Sequence, residues 1–154
     1  VRKVNVRRQW PDQLVVVVEE HRPLARWGST ALVSAQGEVF EAAINSTLPV
    51  LLGPEGSAPD VAARFLDFER TLSSIGRKVS QIRLSSRRAW QVKLDDGMVL
   101  ELGRDNMDER LASFVAAYET TVARLPAPPS YVDLRYSNGF AVRSPGLKWG
   151  VDKA

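Results

Sequence analysis

Bond-making chemistry needs a few reactive side chains within reach of one another, and this chain is short of them. Cysteine is absent, which removes disulfides, thiolate nucleophiles and thiolate metal sites. His21 is the single histidine among 154 residues, so any mechanism or zinc site that needs two is excluded. A Ser-His-acid relay would have to use His21, which lies beside Arg22 in a Pro-containing junction, and no G-x-S-x-G elbow is present. Gly53-Pro54-Glu55-Gly56-Ser57 precedes a helical pattern, so its N–H groups could meet an anion. It lacks a Lys in the Walker position, and Glu55 would repel phosphate; a tight strand-to-helix connection is expected. Asp95-Asp96 is expected to serve a turn rather than acid–base catalysis. Residues 105–109 lack the Gly and terminal Glu spacing of a calcium loop. No catalytic residue, cofactor or metal is therefore expected.

Recognition chemistry is better supplied. Sixteen of the 21 basic residues are Arg and the net charge is +3, with Arg interleaved among Asp and Glu. That pattern favours planar, hydrogen-bonded pairs with carboxylates over a stripe for nucleic acid. Arg87-Arg88 beside Trp90 could stack on nucleic acid; a strand-edge pair with one Arg exposed and Trp90 in the core, or a protein-binding Arg, are the other readings. Residues 131–136 alternate, so Tyr131, Asp133 and Arg135 share one face and Val132, Leu134 and Tyr136 the other. Residues 140–142 follow as a last strand, then an extended tail from Ser144. A terminal strand is often an edge, with unused N–H and C=O groups that an incoming strand can pair. An ordinary blunted edge fits the same pattern.

These residues must be held by a framework, and the pattern supplies one. The chain is 44% hydrophobic and 25% charged, an ordinary globular composition that suits one domain or one domain and a piece of another. The longest aliphatic run, residues 14–18, is too short for a bilayer crossing of roughly 20 residues. Residues 1–20 read as a hairpin around Trp10-Pro11-Asp12, without an adequate core partner, so an upstream segment is expected to cover it. The missing initiating Met fits an excised fragment. Residues 21–27 read as a junction, because Pro23 interrupts the strand pattern. A hairpin of residues 31–33 and 38–40 turns at Gly37, and residues 48–52 form a short strand.

A helix is expected from Ser57 as N-cap, with Pro59 and Asp60 in its first turn. Its apolar face is Val61, Phe65, Phe68, Leu72 and Ile75, and Gly76 ends it. Strands at 79–84, 89–94 and 98–102 follow, the last two joined by Asp95-Asp96-Gly97. A second helix begins near Asn106 with a capping-box spacing to Glu109. It buries Met107, Leu111, Phe114, Val115, Tyr118 and Val122 and ends at Pro126, Pro128 and Pro129. Ser137-Asn138-Gly139 turns between the last two strands. Short links favour antiparallel pairing. The expected class is α+β without repeated βαβ units: a mainly antiparallel sheet, two amphipathic helices on one face, and a partial hairpin in front.

At these segments the sequence resembles the FtsQ/DivIB family of division proteins. The resemblance rests on Val6-Arg7-Arg8-Gln9-Trp10-Pro11-Asp12-Gln13-Leu14, Ala25-Arg26-Trp27, Leu48-Pro49-Val50-Leu51-Leu52-Gly53-Pro54-Glu55-Gly56-Ser57, Arg87-Arg88-Ala89-Trp90, Leu102-Gly103-Arg104 and Ser130-Tyr131-Val132-Asp133-Leu134-Arg135-Tyr136 with Gly139. It implies a bitopic, non-enzymatic scaffold with one upstream transmembrane helix and a periplasmic POTRA domain and β domain. Residues 1–22 would be the end of the POTRA domain and 23–154 the β domain with its tail.

The implied partners are FtsB and FtsL, and through them the FtsW–FtsI synthase, with FtsK as an early partner, at the inner membrane of the division septum. The resemblance implies that FtsB adds a strand at the C-terminal end. Arg135 would meet an acidic FtsB residue and Tyr136 would line an apolar pocket. Ser137, Gly139, Phe140, Ala141 and Val142 would form its wall and receiving edge, and Arg87 a further basic contact. Lys3, Val6 and Arg8 would lie on the POTRA remnant and touch early partners. Arg143 and Ser144 stand where the family has Gly-Trp, and Trp149 is the candidate substitute. The rival readings are a periplasmic module of another POTRA-containing assembly system, a secreted or periplasmic hydrolase and a nucleic-acid module.

Overall fold

A computed structural model describes residues 3–9, 13–19, 22–42, 47–137 and 139–144. The expected turn at Trp10-Pro11-Asp12, His21, Asn138 and the tail with Trp149 lie outside the described residues. Strands β1 (Lys3–Gln9) and β2 (Gln13–Glu19) pair antiparallel as a two-stranded sheet of their own. Lys3, Val6 and Arg8 sit on β1, opposite Glu19, Val16 and Leu14.

A nine-stranded sheet follows. It comprises β3 (Pro23–Trp27), β4 (Ala31–Ser34), β5 (Val39–Phe40), β6 (Val50–Leu52), β7 (Val79–Leu84), β8 (Trp90–Leu94), β9 (Val99–Gly103), β10 (Tyr131–Asp133) and β11 (Ala141–Arg143). Its spatial order is β11-β10-β9-β8-β7-β6-β3-β4-β5. Helices α1 (Ala58–Ser73) and α2 (Met107–Tyr118) pack on it and on each other. The class is α+β, with five antiparallel pairings and three parallel ones.

The mainly antiparallel sheet also contains parallel pairings, which the short links do not suggest. β6-α1-β7 and β9-α2-β10 each join adjacent parallel strands through a helix. β7, β8 and β9 form an antiparallel meander, so β7 and β9 run the same way. Both crossovers therefore step along the sheet in one direction from strands of one polarity. Right-handed crossing then puts both helices on the same face.

The residues expected as a junction also form a strand. Pro23 is the first residue of β3, a position that needs no N–H, and a register shift follows it.

The core records the two periodicities. Ile82, Leu84, Trp90, Val92, Leu94, Leu100, Leu102 and Val132 point to the helix side and are buried. They meet Val61, Phe65, Phe68 and Leu72 of α1 and Leu111, Phe114 and Tyr118 of α2. Phe68 stands edge-on to Trp90 with ring centroids 6.0 Å apart. Full burial of each such side chain is worth about 1.5–3 kcal/mol.

Helix α1 ends as expected at Gly76 (φ +72): the Gly76 N–H bonds the Ser73 carbonyl and the Arg77 N–H bonds that of Leu72. The expected side-chain caps do not form. Ser57 Oγ donates instead to the Pro54 carbonyl at 2.5 Å, and Asn106 takes a left-handed backbone (φ 55) without a cap bond. Helix α2 stops at Tyr118, before the prolines. Thr120 and Thr121 turn their hydroxyls back onto the Ala117 carbonyl, at 3.2 and 2.6 Å, and a 3-10 turn at Val122–Arg124 continues the chain.

Candidate functional site

The last hairpin is shorter than its sequence pattern. β10 ends at Asp133; Leu134 still donates its N–H to the Glu101 carbonyl of β9, and Arg135 and Tyr136 leave the ladder instead of extending it. Leu134 stays buried, whereas Tyr136 is 58% exposed and does not continue the apolar face of Val132 and Leu134. Phe140 precedes β11 rather than opening it. Its ring meets Phe114 of α2 edge-on, with centroids 5.7 Å apart, and so ties the loop to the core.

β11 is the last strand of the sheet. Which of its groups are unused follows from the register. Val99 N–H bonds the Ser130 carbonyl, and Leu134 N–H bonds that of Glu101, so even-numbered residues of β10 face β9. Odd-numbered residues therefore face β11, where Tyr131 pairs with Arg143 and Asp133 with Ala141. Alternation leaves the N–H and C=O of Val142 directed away from β10. Among the described residues, no strand pairs with that side. The Val142 side chain packs toward the core.

Two clefts adjoin this edge. One, of about 240 Å³, lies between Asn106, Glu109, Arg110 and Ser113 at the start of α2 and the segment from Leu134 through Arg135, Tyr136, Ser137 and Gly139 to Phe140. The other, of about 380 Å³, is lined by Tyr136, Ser137, Gly139, Phe140 and Ala141. Arg135, Tyr136, Ser137, Gly139, Phe140 and Ala141 thus converge, and Val142 supplies the backbone edge beside them. Arg87 does not line either cleft. It is exposed in the β7–β8 turn, at the end of the sheet where β9 and β10 also finish. The wall supplied by α2 was missed in the sequence, where Asn106 and Glu109 read as capping residues. The available signal was the exposed polar side of the first helical turns, Glu109 and Ser113 being four residues apart.

The electrostatics centre on Asp133 and Arg135. Asp133 Oδ1 accepts from Arg135 Nε at 2.9 Å and from its backbone N–H at 3.0 Å, and Oδ2 accepts from Nη2 at 2.7 Å. The Asp133 side chain is 14% exposed and that of Arg135 is 54%. The hydrogen bonds from Arg135 hold the Asp133 carboxyl below the usual carboxylate range, and those same bonds raise the guanidinium pKa. Tyr131 donates to Glu101 Oε2 at 3.1 Å. Burial first, and then the Glu101 charge, push its phenol up. The Arg143 guanidinium lies over the Tyr131 ring, 5.3 Å from its centroid. Ser144 donates to the Ala127 carbonyl.

The other candidates resolve into structure. Asp96 Oδ1 accepts from the Met98 N–H, and Asp95 and Asp96 both pair with Arg77. The Arg77 guanidinium is raised by its hydrogen bond to Tyr118. Arg88 is exposed, holds φ 66 and pairs with Asp60 at 3.2 Å, while Trp90 is buried. Among the described residues, no cluster of three His, Asp or Glu could hold a metal, and no helix is long and apolar enough to cross a membrane.

Comparison with known proteins identifies the family. The family model "Cell division protein FtsQ/DivIB, C-terminal" matches residues 25–135, from β3 to Arg135. The FtsQ protein of Nitrosospira multiformis is 47% identical over 93% of this chain and 61% of its own length. That of Burkholderia pseudomallei is 43% identical over 99% and 64%, and that of Neisseria gonorrhoeae 39% over 93% and 60%. The chain thus spans about three fifths of the curated relatives it matches. Nearly the whole described sheet falls inside the match, and the chain belongs to the FtsQ/DivIB family of cell division proteins.

Proposed function

We propose that this chain is the partner-binding part of a non-catalytic division scaffold that recruits FtsB by strand addition to β11. The open edge carries the reading: Val142 turns its N–H and C=O outward, where no strand of the described residues pairs with them, beside a cleft walled by Tyr136, Ser137, Gly139, Phe140 and Ala141. Arg135 meets an acidic FtsB residue and Tyr136 lines the apolar pocket. Arg87, at the same end of the sheet, is a further basic contact. FtsL accompanies FtsB, and the pair links this scaffold to the FtsW–FtsI synthase. Residues 1–22 close a POTRA domain on which Lys3, Val6 and Arg8 serve early partners such as FtsK. Residues 23–154 are the β domain. An upstream transmembrane helix holds both in the periplasm at the septum.

The test is calorimetry of the chain with a synthetic C-terminal FtsB peptide. Tyr136→Ala and Arg135→Glu each weaken binding by about 30-fold or more, with circular dichroism unchanged because neither side chain belongs to the buried core. Val142→Pro removes an outward donor and also weakens binding. Equal affinity for wild type, Tyr136→Ala and Arg135→Glu removes the site, and unchanged binding by Val142→Pro moves the added strand elsewhere. A salt slope as steep as that of phosphate binding would favour the nucleic-acid reading instead.

A further inference from the structure

Arg135 reaches the surface already engaged. Asp133 takes the edge of the guanidinium formed by Nε and Nη2, at 2.9 and 2.7 Å. That side-on fork leaves the remaining Nη2 hydrogen and the Nη1 hydrogen beside it, which together form a second, end-on edge suited to another carboxylate. The stem below is seated as well. A Cβ built on Gly103 would lie 3.1 Å from Arg135 Cγ, 3.3 Å from Cδ and 2.9 Å from Arg110 Nη1. Arg110 is itself fixed, donating to the Leu102 carbonyl at 2.6 Å. A glycine, a mostly covered acid and a tethered neighbour thus determine where Arg135 can point.

We propose that Asp133 and Gly103 are positioning residues for partner recognition, fixing Arg135 so that its free guanidinium edge receives a carboxylate of the strand that docks beside β11. This rests on the reading of Arg135 as a partner contact. It assigns the ligand chemistry as an end-on, bidentate carboxylate, and it makes geometry rather than net charge the source of selectivity.

The two accounts of Asp133 predict opposite signs. If Arg135 acts only as a charge, Asp133 opposes an acidic ligand, and Asp133→Asn tightens binding by removing one negative charge. If Arg135 must be held in place, Asp133→Asn frees the guanidinium and weakens binding.

Two measurements on the chain decide it. The Arg135 Nε–Hε signal, followed by nitrogen-15 NMR without ligand, is slow to exchange in wild type and exchanges faster in Asp133→Asn and Gly103→Ala. Calorimetry with the C-terminal FtsB peptide gives about 5- to 30-fold weaker binding for Asp133→Asn, with partial recovery in Asp133→Glu. Arg135→Ala is the control. If Arg135→Ala weakens binding while Asp133→Asn leaves it equal or tighter, the positioning role is overturned and the site survives. If Arg135→Ala has no effect, the partner contact and this proposal fall together. If Asp133→Asn weakens binding with unaltered Nε–Hε exchange, Asp133 acts through something other than Arg135, and the proposal also fails.

Discussion

Gly103→Ala probes the seat under the candidate site. Gly103 holds φ +74 and closes β9 just before the loop into α2. A residue with a Cβ pays about 1–2 kcal/mol in this backbone region. The new Cβ would also stand 2.9 Å from Arg110 Nη1, so Arg110 must swing off the Leu102 carbonyl. A lost hydrogen bond of that kind costs about 0.5–1.5 kcal/mol more. The total is about 1.5–3.5 kcal/mol. Gly97 supplies the control, because it has φ +90 and a Cβ there would meet nothing within 4 Å. Gly97→Ala should therefore cost the backbone share alone, about 1–2 kcal/mol. Urea unfolding followed by tryptophan fluorescence measures both. In the double variant Gly103→Ala with Arg110→Ala, the part of the excess that comes from Arg110 disappears, giving a coupling of about 1 kcal/mol. Equal losses for Gly103→Ala and Gly97→Ala, with no coupling to Arg110, would refute the reasoning.

Two more outcomes follow from single residues. Arg88→Gly relieves a left-handed backbone (φ 66) and gives up only an exposed ion pair with Asp60, so stability rises by about 0.5–1 kcal/mol; a fall in the urea midpoint would mean that Arg88 makes a contact worth more than its strain. Asp133 has a folded-state pKa below its unfolded value, so its stabilisation is complete above about pH 4 and is lost as pH falls through the depressed value. The stability gap between wild type and Asp133→Asn should close below that range, and a gap that persists unchanged to pH 2 would remove the pair as its cause.

The parts of the fold legible in the sequence are those where one face is buried and the other wet. Val79–Leu84 and the face of α1 from Val61 to Leu72 each show their period, because period and burial coincide. Periodicity identifies a strand but not its neighbour, so the parallel pairing of β6 with β7 and of β9 with β10 was not visible. Strand β3 was hidden by Pro23 and by Arg26, an apolar pattern broken at the residues that pair with β4 and β6. Asn106 and Glu109 had the spacing of a cap, but the left-handed backbone at Asn106 forestalls it. At the site, Arg135, Tyr136 and Phe140 were legible as side-chain types. The facing wall of Glu109, Arg110 and Ser113 was not, because it meets Leu134 and Arg135 only through the crossover of α2.

That crossover also explains why the edge lies where it does. Both βαβ units step away from β3, so each new strand is laid on the same growing side, and the hairpin after β10 must finish at the boundary. The opposite boundary, β5, spans only Val39–Phe40 and is too short to seat a foreign strand. β11 is only slightly longer, at three residues. Its outward backbone is centred on Val142 alone, which supplies few hydrogen bonds, each worth about 0.5–1.5 kcal/mol net. Main-chain pairing can set the direction and register of a partner strand here, but it cannot provide most of the affinity. The larger share must come from the clefts, from an exposed Tyr136, a Phe140 anchored on Phe114 and an Arg135 held by Asp133. The loss on Tyr136→Ala should therefore exceed the loss on Val142→Pro, and the reverse order would make the backbone edge, not the clefts, the dominant element.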